Sequence, residues 1–266
     1  MHVINKLLGR PGGEKSMPDL NRLLSEAYTL LKSKDYSKAR EILLRAVAFR
    51  GRVSDAATIK WILESLEATW LLQDLYEEQI KFFSDHITCF PGDVAAYSGR
   101  AAGHWYSAQL HDAVRDYTRA LELDPTDILS RSGRGQVLAE LGESARGMED
   151  LDATLRSLLE VPKSVADQPQ WYKEVEAFVR RGRGIALAQM GQMQEALNEI
   201  EESVTLSPEN AWVYYSRAQI YERLGERENA LADYQAALTK LAPHLTRYQK
   251  EHAQERVLSL SRDGLS

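Results

Sequence analysis

A spacing of 34 residues recurs along the chain and restricts the folds that it can adopt. Arg100 recurs 34 positions later as Arg134, and further along the chain Arg183 recurs in the same way as Arg217. Arg134 and Arg183 are 49 positions apart, so 15 additional residues separate the two sets. A period of this length is typical of repeat proteins, in which each repeat is one supersecondary unit that stacks on the next.

The register of these residues, with a weaker set in the first third of the chain, predicts six repeats. The repeats are 20–53, 60–93, 94–127, 128–161, 177–210 and 211–244, with an insertion at 162–176. Together they predict one domain of stacked repeats over 20–244. Residues 1–19 are then a leader, and residues 245–266 are a C-terminal capping helix and tail.

Each repeat has the sequence pattern of two helices. In the sixth repeat, an apolar-periodic segment ends at Gly225, because glycine adopts the left-handed C-cap conformation at the lowest cost. A second periodic segment ends near Pro243, since proline cannot continue a helix. The sequence lacks runs of alternating apolar and polar residues long enough for a sheet. We therefore expect an all-α fold.

The segments WVYYSRAQIYERLGERENALADYQAALTKLAP and YSGRAAGHWYSAQLHDAVRDYTRALELDP resemble tetratricopeptide repeats. The paired helices, the 34-residue length, the small residue after Arg100 and Arg217 and the terminal proline carry the resemblance. It is weakest in 60–93, where Glu67 and Gln79 replace small residues. The resemblance implies a right-handed α-solenoid of stacked helix pairs, with a concave groove lined by the first helix of each pair.

Two first helices are expected to begin before their repeats. Pro169 in a first helical turn predicts a helix from about Pro169 to Met190 in the fifth repeat. This helix would carry Trp171 outwards as a contact ledge, or Trp171 would pack on the preceding loop. Asp55 predicts a similar N-cap for a helix that runs to Gln73.

Both ends of the chain contain apolar segments. Near the N-terminus, we expect a short helix with one apolar face formed by Val3, Ile4, Leu7 and Leu8. This face is either a hydrophobic hook for a partner or part of a frayed leader. Residues 245–262 are predicted to cap the stack, with one apolar stripe formed by Leu245, Tyr248, Ala253, Val257 and Leu260.

Composition and motifs argue against several classes of function. The net charge of −6 argues against nucleic acid and anionic membranes as partners. The single cysteine, Cys89, excludes an intramolecular disulfide and suits a reducing, cytoplasmic location. His86 and Cys89 share one helix face, but no carboxylate at a defined spacing orients the histidine. We find no catalytic, metal-binding or cofactor motif, so the sequence predicts a non-enzymatic protein without a cofactor.

The resemblance implies a partner-binding groove, whose residues come from fixed positions of the first helices. Carried over to this sequence, they are Trp61, Glu64, Ala68, Ser98, Ala102, Trp105, Tyr106, Ser132, Gln136, Phe178, Arg181, Trp212, Tyr215 and Gln219. Aromatic rings with small residues between them would leave room for an inserted peptide or helix. The alternative is that several of these rings pack against the next repeat.

Two further patterns bear on the ligand of this groove. Similar proteins that clamp the C-terminal carboxylate of heat-shock chaperones use Lys, Asn and Arg at set groove positions. Here these positions hold Ser98, Ala102, Gly133, Phe178 and Gly182, which argues against a co-chaperone of that type. The recurring arginines, of which Arg100 is the first, either form an anion-binding ladder or pack their stems between helices.

The sequence predicts a protein–protein interaction module, an adaptor or scaffold that binds a peptide or partner helix in its groove. Two other functions stay open. One is a dedicated neutraliser or chaperone of a single cognate protein, such as a toxin or secreted effector. The other is a self-assembling scaffold, in which Trp171 and the N-terminal apolar face make contacts between copies.

Overall fold

The computed structural model describes residues 18–50, 53, 55–160, 169–239 and 245–262. These ranges contain 13 helices and no strand, which confirms the predicted all-α fold. The apolar segment of the predicted leader and the helix end at Pro243 lie outside the described residues. None of the described helices combines the length and the apolar character that a membrane crossing requires.

The chain divides into two compact units, Met1–Asp127 and Ile128–Ser266, which we call unit 1 and unit 2. The described helices of unit 1 are α1 (Pro18–Lys32), α2 (Tyr36–Val47), α3 (Ala56–Leu71), α4 (Tyr76–Cys89), α5 (Val94–Tyr106) and α6 (Leu110–Leu123). Those of unit 2 are α7 (Ile128–Glu140), α8 (Ser144–Glu160), α9 (Pro169–Gln189), α10 (Met193–Leu206), α11 (Ala211–Leu224), α12 (Arg227–Thr239) and α13 (Arg247–Arg262). The division falls between the third and fourth predicted repeats.

Consecutive described helices pack in pairs from α1 and α2 to α11 and α12, and α3 and α9 begin before the predicted bounds of their repeats. Within unit 1, the second helix of a pair also packs on the first helix of the next, as α2 does on α3 and α4 on α5. Within unit 2, α8 packs on α9, α10 on α11, and α13 on α12. Each unit is therefore a stack of helix pairs, as expected for a fold of the α-solenoid class.

Local signals in the sequence set the helix boundaries. Asp55 caps α3, where its carboxylate accepts hydrogen bonds from the backbone N–H groups of Ala57 and Thr58. Gly225 ends α11 in the left-handed conformation, with φ of 76°, as the sequence predicts. The two early helix starts are also confirmed, since α9 begins at Pro169.

Helices α7 and α8 approach one another closely at two glycines. A Cβ atom placed on Gly147 would lie 2.7 Å from the backbone oxygen of Gly135. A Cβ atom on Gly135 would lie 2.9 Å from Cγ of Leu151. Real carbon atoms do not approach this closely, so glycine at both positions permits the observed helix packing.

An arginine–carboxylate bridge joins the two helices of four pairs. Arg100 binds Asp116 through two hydrogen bonds of 2.6 and 2.7 Å, between α5 and α6. The same bridge, always 16 residues apart in sequence, recurs in the pairs Arg134–Asp150, Arg183–Glu199 and Arg217–Asp233. The hydrogen bonds to Asp116 outweigh the effect of burial and raise the pKa of Arg100. Because carboxylates already bind these guanidinium groups, the structure does not support an anion-binding ladder.

Two expectations about the flanking segments are wrong. Tyr248 does not belong to a buried stripe of α13, because its side chain is 70% exposed, whereas Ala253 and Leu260 are buried. Trp171 does not project from the fold as a ledge. It is partly buried and packs against a cluster that includes Leu158 and Val175. The preceding loop, on which the alternative placed Trp171, lies outside the described residues.

Candidate partner-binding face

First helices of neighbouring pairs lie side by side in both units. In unit 1, α3 contacts α5, and in unit 2, α9 contacts both α7 and α11. The predicted groove residues lie on these five helices. We call the surfaces formed by α3 and α5 and by α7, α9 and α11 the first-helix faces of unit 1 and unit 2.

A buried arginine connects the three helices of the unit 2 face. Arg181 on α9 is only 2% exposed and donates hydrogen bonds to Oε1 of Gln136 on α7 and to Oγ of Ser216 on α11. Its guanidinium lies 4.7 Å from the centre of the Trp212 ring, within the range of a cation–π interaction. Oε1 of Glu140 lies 3.9 Å from Nη2 of the same guanidinium.

Arg181, Gln136 and Trp212 form a buried centre of the unit 2 face, and further contacts hold Gln136 in place. Gln136 donates a hydrogen bond of 2.6 Å to the backbone oxygen of Phe178, which links α7 to α9 a second time. A Cβ atom on Gly182 would lie 2.7 Å from Cγ of Gln136, so only glycine leaves room for that side chain. Predicted residues from three separate repeats therefore form one connected set in unit 2.

Other predicted residues of unit 2 lie apart from this set. Ser132 is buried and its hydroxyl donates to the backbone oxygen of Leu129 on its own helix. Gln219 is half-buried. Tyr215 is buried beneath α13, where its hydroxyl lies 3.0 Å from Nδ1 of His252. Burial raises the pKa of the Tyr215 hydroxyl above its ordinary value.

In unit 1, the predicted residues divide between the core and a group of aromatic rings. Trp61 and Ala68 on α3 belong to the buried hydrophobic core, and Ala102 on α5 is also buried. At the end of α5, the Trp105 ring stacks on the Tyr106 ring with centres 5.3 Å apart. Tyr106 also lies 5.8 Å from the ring of Tyr76.

Two polar residues complete the predicted set in unit 1. Ser98 and Glu64 are half-buried on α5 and α3. Burial disfavours the charge of Lys60, but the carboxylates of Asp127 and Glu64 outweigh that effect and raise the pKa of the lysine. Glu64 therefore contributes negative charge to one end of the face.

The aromatic rings expected to form open groove walls are mostly buried. Trp61, Trp105, Trp212 and Tyr215 are 9%, 7%, 8% and 5% exposed. These four rings therefore do not form open walls: Trp212 lies against Arg181 of the preceding repeat, and Tyr215 lies beneath α13. The half-buried members of the predicted set are Glu64, Ser98, Tyr106, Phe178 and Gln219.

The histidine considered for catalysis belongs to a different arrangement. Nε2 of His86 lies 3.1 Å from Oδ2 of Asp93, and the Arg50 guanidinium lies 2.8 Å from the same oxygen. Asp93 is the nearby carboxylate that sequence spacing did not identify, and it also caps α5. Cys89 is exposed. Within the described ranges, no group of three or more His, Cys, Asp or Glu residues is placed to hold a metal ion.

Sequence reasoning missed several residues that organise these faces. Asp116 and Asp150 were not identified as arginine partners, although they are 34 residues apart and each follows its arginine by 16. That second periodicity was the available signal. Ser216 and His252 carry no such signal, because their roles depend on side chains that meet only in the folded chain.

Comparisons with known proteins agree with this architecture. A family model described as TPR repeat matches residues 184–225, and one described as Tetratricopeptide repeat matches residues 213–239. The human Tetratricopeptide repeat protein 6 is 27% identical over 169 residues, which cover 62% of this chain and 29% of that protein. Hsp70-Hsp90 organizing protein 3 of Arabidopsis thaliana is 32% identical over 81 residues, 30% of this chain and 14% of that protein. The chain thus matches less than a third of the length of either relative.

A solved structure shows the same fold over nearly the whole chain. The crystal structure of the APC/C hetero-tetramer Cut9-Hcn1 matches with a TM-score of 0.67 and 13% identity, covering 97% of this chain and 45% of that one. At this identity the match concerns the fold alone. Together with the family models and the 34-residue helix pairs, this match leads to one conclusion: the chain contains tetratricopeptide repeats, which the family models place within residues 184–239.

Proposed function

We propose that this protein is a non-enzymatic adaptor that binds another polypeptide along its first-helix faces. Tetratricopeptide repeats are stacked helix pairs, and such stacks offer extended surfaces suited to protein partners. One relative is named an Hsp70-Hsp90 organizing protein. The family and the relatives therefore support protein–protein interaction as the general role.

The observation that carries the proposal is the lateral packing of first helices, as α9 packs between α7 and α11. A buried centre of Gln136, Arg181 and Trp212 fixes the spacing of these three helices. A face held in one shape costs less to order on binding than a flexible one. In this proposal the buried rings give the face its shape, and they are not themselves the anchors.

The half-buried side chains are the proposed points of contact. Phe178 on α9 and Tyr106 on α5 each present part of an aromatic ring, and Gln219 on α11 offers an amide. Aromatic residues provide large contact areas at low entropic cost and are enriched among the residues that dominate binding energies. We therefore assign the main contacts to Phe178 in unit 2 and Tyr106 in unit 1.

A clamp for a C-terminal carboxylate is not part of the proposal. The positions where similar proteins place the clamping Lys, Asn and Arg side chains hold Ser98, Ala102, Gly133, Phe178 and Gly182 in this chain. None of these side chains carries a positive charge. An internal segment or a helix of the partner fits the face better than a terminal carboxylate does.

Affinity capture from native lysate, read by mass spectrometry, tests the proposal. The bait proteins are the wild type, the double variant Tyr106→Ala/Phe178→Ala, and Leu44→Ala as the control. Leu44 is an exposed apolar residue on the second helix α2, so its loss removes a comparable side chain outside the first-helix faces. We expect specific partners to be captured by the wild type and the control and lost from the double variant.

The proposal is wrong if the double variant keeps its helical circular dichroism spectrum and still captures every specific partner. The number of partners distinguishes the alternatives. A single partner at equal stoichiometry would indicate a dedicated neutraliser or chaperone, whereas several weaker partners would indicate an adaptor.

A further inference from the structure

Helix α13, the last of the described helices, covers one end of the unit 2 face. His252 on α13 contacts Tyr215 of α11 through the 3.0 Å hydrogen bond, and the two ring centres are 5.7 Å apart. The same histidine lies 6.1 Å from the ring of Tyr234 on α12. Helix α13 therefore occupies a site formed by α11 and α12.

Polar contacts provide much of this attachment. Arg256 donates a 2.8 Å hydrogen bond from Nε to Oε1 of Glu222 at the end of α11. Arg227, the first residue of α12, donates from Nε to the backbone oxygen of Leu260 at 2.9 Å. These contacts could be exchanged for equivalent ones from another helix, because they depend on a basic side chain and a helix carbonyl.

The apolar contribution of α13 is small. Within the helix, the buried residues are Ala253 and Leu260, whereas α11 buries seven residues. Two of the larger apolar side chains of α13, Tyr248 and Leu258, are 70% and 58% exposed. Elements with few buried apolar contacts open at a lower free-energy cost than the core. Helix α13 is therefore easier to detach than the paired helices.

The charge of Glu222 determines which side chain a helix must present to bind in the place of α13. Burial opposes its charge, but the hydrogen bonds from Arg256 and Tyr234 outweigh that effect and lower the pKa of its carboxyl. The group therefore stays ionised at neutral pH. A half-buried carboxylate that loses its arginine favours a ligand that supplies another cation.

We propose that α13 is a detachable cover, and that the surface beneath it binds an amphipathic helix of a partner protein. The surface consists of Tyr215, Glu222, Arg227 and Tyr234. The partner helix would present the pattern by which α13 binds, with a small residue at the position of Ala253, a basic residue three positions later and an apolar residue four positions after that. This inference rests on the proposed function and deepens it, since it names the class of partner for one end of the face.

A peptide that competes with the tethered helix tests the proposal. The probe is a fluorescent peptide with the sequence of residues 245–262, titrated into the full chain carrying Arg256→Ala. The peptide keeps the arginine that the tethered helix has lost, so it should bind this variant about tenfold more tightly than it binds the wild type. A His252→Ala chain, which lacks the contact with Tyr215, should shift in the same direction.

Two controls isolate the Glu222 bridge. Arg247→Ala removes an exposed side chain from the same helix and should leave peptide binding as in the wild type. A peptide carrying Arg256→Ala should bind the Arg256→Ala chain about tenfold more weakly than the native peptide does.

Three results would overturn the proposal. The first is that neither the Arg256→Ala nor the His252→Ala chain binds the native peptide. The second is that hydrogen exchange in α13 is as slow as in α11 in the wild type and both variants. The third is that light scattering shows the variants as dimers that exchange α13, because the occupant would then be a second copy. The titration needs no cellular partner, so its failure and the failure of the capture experiment are independent results.

Discussion

The arginine–carboxylate bridges tie the two helices of a pair together from side chains that are mostly buried. In the bridge between α7 and α8, Arg134 and Asp150 are 25% and 13% exposed at the side chain, and Nε donates to Oδ2 at 2.7 Å. Two parallel hydrogen bonds from a guanidinium fix both position and orientation. Each bridge therefore sets the register of its helix pair.

Removing one partner of this bridge should destabilise the fold. Arg134→Leu leaves the largely buried carboxylate of Asp150 without its cation, which should lower the free energy of unfolding by about 2 kcal/mol. The double variant Arg134→Leu/Asp150→Leu should recover much of the loss, because no buried charge is left uncompensated. Urea unfolding of the four chains of this double-mutant cycle measures the coupling. Equal stability of Arg134→Leu and wild type would contradict the role of the bridge.

A matched control separates a buried bridge from an exposed one. Arg119 and Glu122 form an ion pair of 2.8 Å on the surface of α6, with both side chains about half exposed. Solvent screens such a pair strongly. We expect Arg119→Leu to leave the urea midpoint unchanged.

The cluster of Arg50, His86 and Asp93 should make unit 1 sensitive to acid. Burial disfavours the Asp93 carboxylate, but the hydrogen bond from His86 and the charge of Arg50 outweigh it and lower the pKa of Asp93. A carboxyl with a lowered folded-state pKa stabilises the fold above its unfolded-state pKa of about 4. That stabilisation is lost as the pH falls through the lower folded-state value.

The variant Asp93→Asn tests this pH dependence. The amide oxygen can still cap α5, but the group no longer titrates. Between pH 5 and pH 3, we expect the wild type to lose more unfolding free energy than the variant, as measured by urea unfolding at each pH. Equal losses in the two proteins would show that Asp93 does not contribute to the acid sensitivity.

At the level of helices, the close approach of α7 and α8 sets a limit on side-chain size. Replacing a helix glycine by alanine ordinarily stabilises a helix by up to about 1 kcal/mol. At Gly147 the added Cβ would lie 2.7 Å from the Gly135 oxygen, and such overlap costs about 1–3 kcal/mol. We expect Gly147→Ala to lower the thermal midpoint. Gly92→Ala, where no atom beyond the adjacent residues lies within 4 Å of the added Cβ, should leave the midpoint nearly unchanged, and equal effects of the two would contradict this account.

The order of the helices was predictable because it depends on local signals that repeat. The 34-residue spacing predicts each helix pair, and Pro169 and Asp55 predict the two early helix starts. Both residues act through backbone geometry within one turn of helix, so no tertiary information is needed. The division of the chain after Asp127 was not predicted, since a repeat pattern looks the same on both sides of it.

Whether the aromatic side chains are buried or exposed was not predictable from their spacing alone. The sequence places Trp212 on the first-helix face, but in the structure its ring is buried, and the Arg181 guanidinium of another repeat lies over it. Tyr215 is buried because a helix more than 30 residues later lies over it. Such contacts depend on tertiary packing, which the repeat pattern does not encode. The prediction that Tyr248 is buried was wrong for the same reason, because helical periodicity does not show which face of a helix packs against a neighbour.

For the molecule as a whole, the proposed adaptor role means that a partner binds each unit in the same way, along its first helices. Both units present first helices in lateral contact, and each face keeps half-buried side chains at its surface. The contacts of Arg181 hold α7, α9 and α11 together in unit 2, and the ring of Tyr106 joins α5 to α4 in unit 1. A partner that binds along the first helices would therefore find surfaces that are formed before it arrives.

Hydrogen exchange of the protein with and without its captured partner tests this claim most directly. A polypeptide bound along the first-helix faces should slow the exchange of amides in α3, α5, α7, α9 and α11, and leave α2, α4, α6, α8 and α10 as in the free protein. Protection confined to the second helices would contradict the account, because the partner would then bind the opposite surface of the repeats.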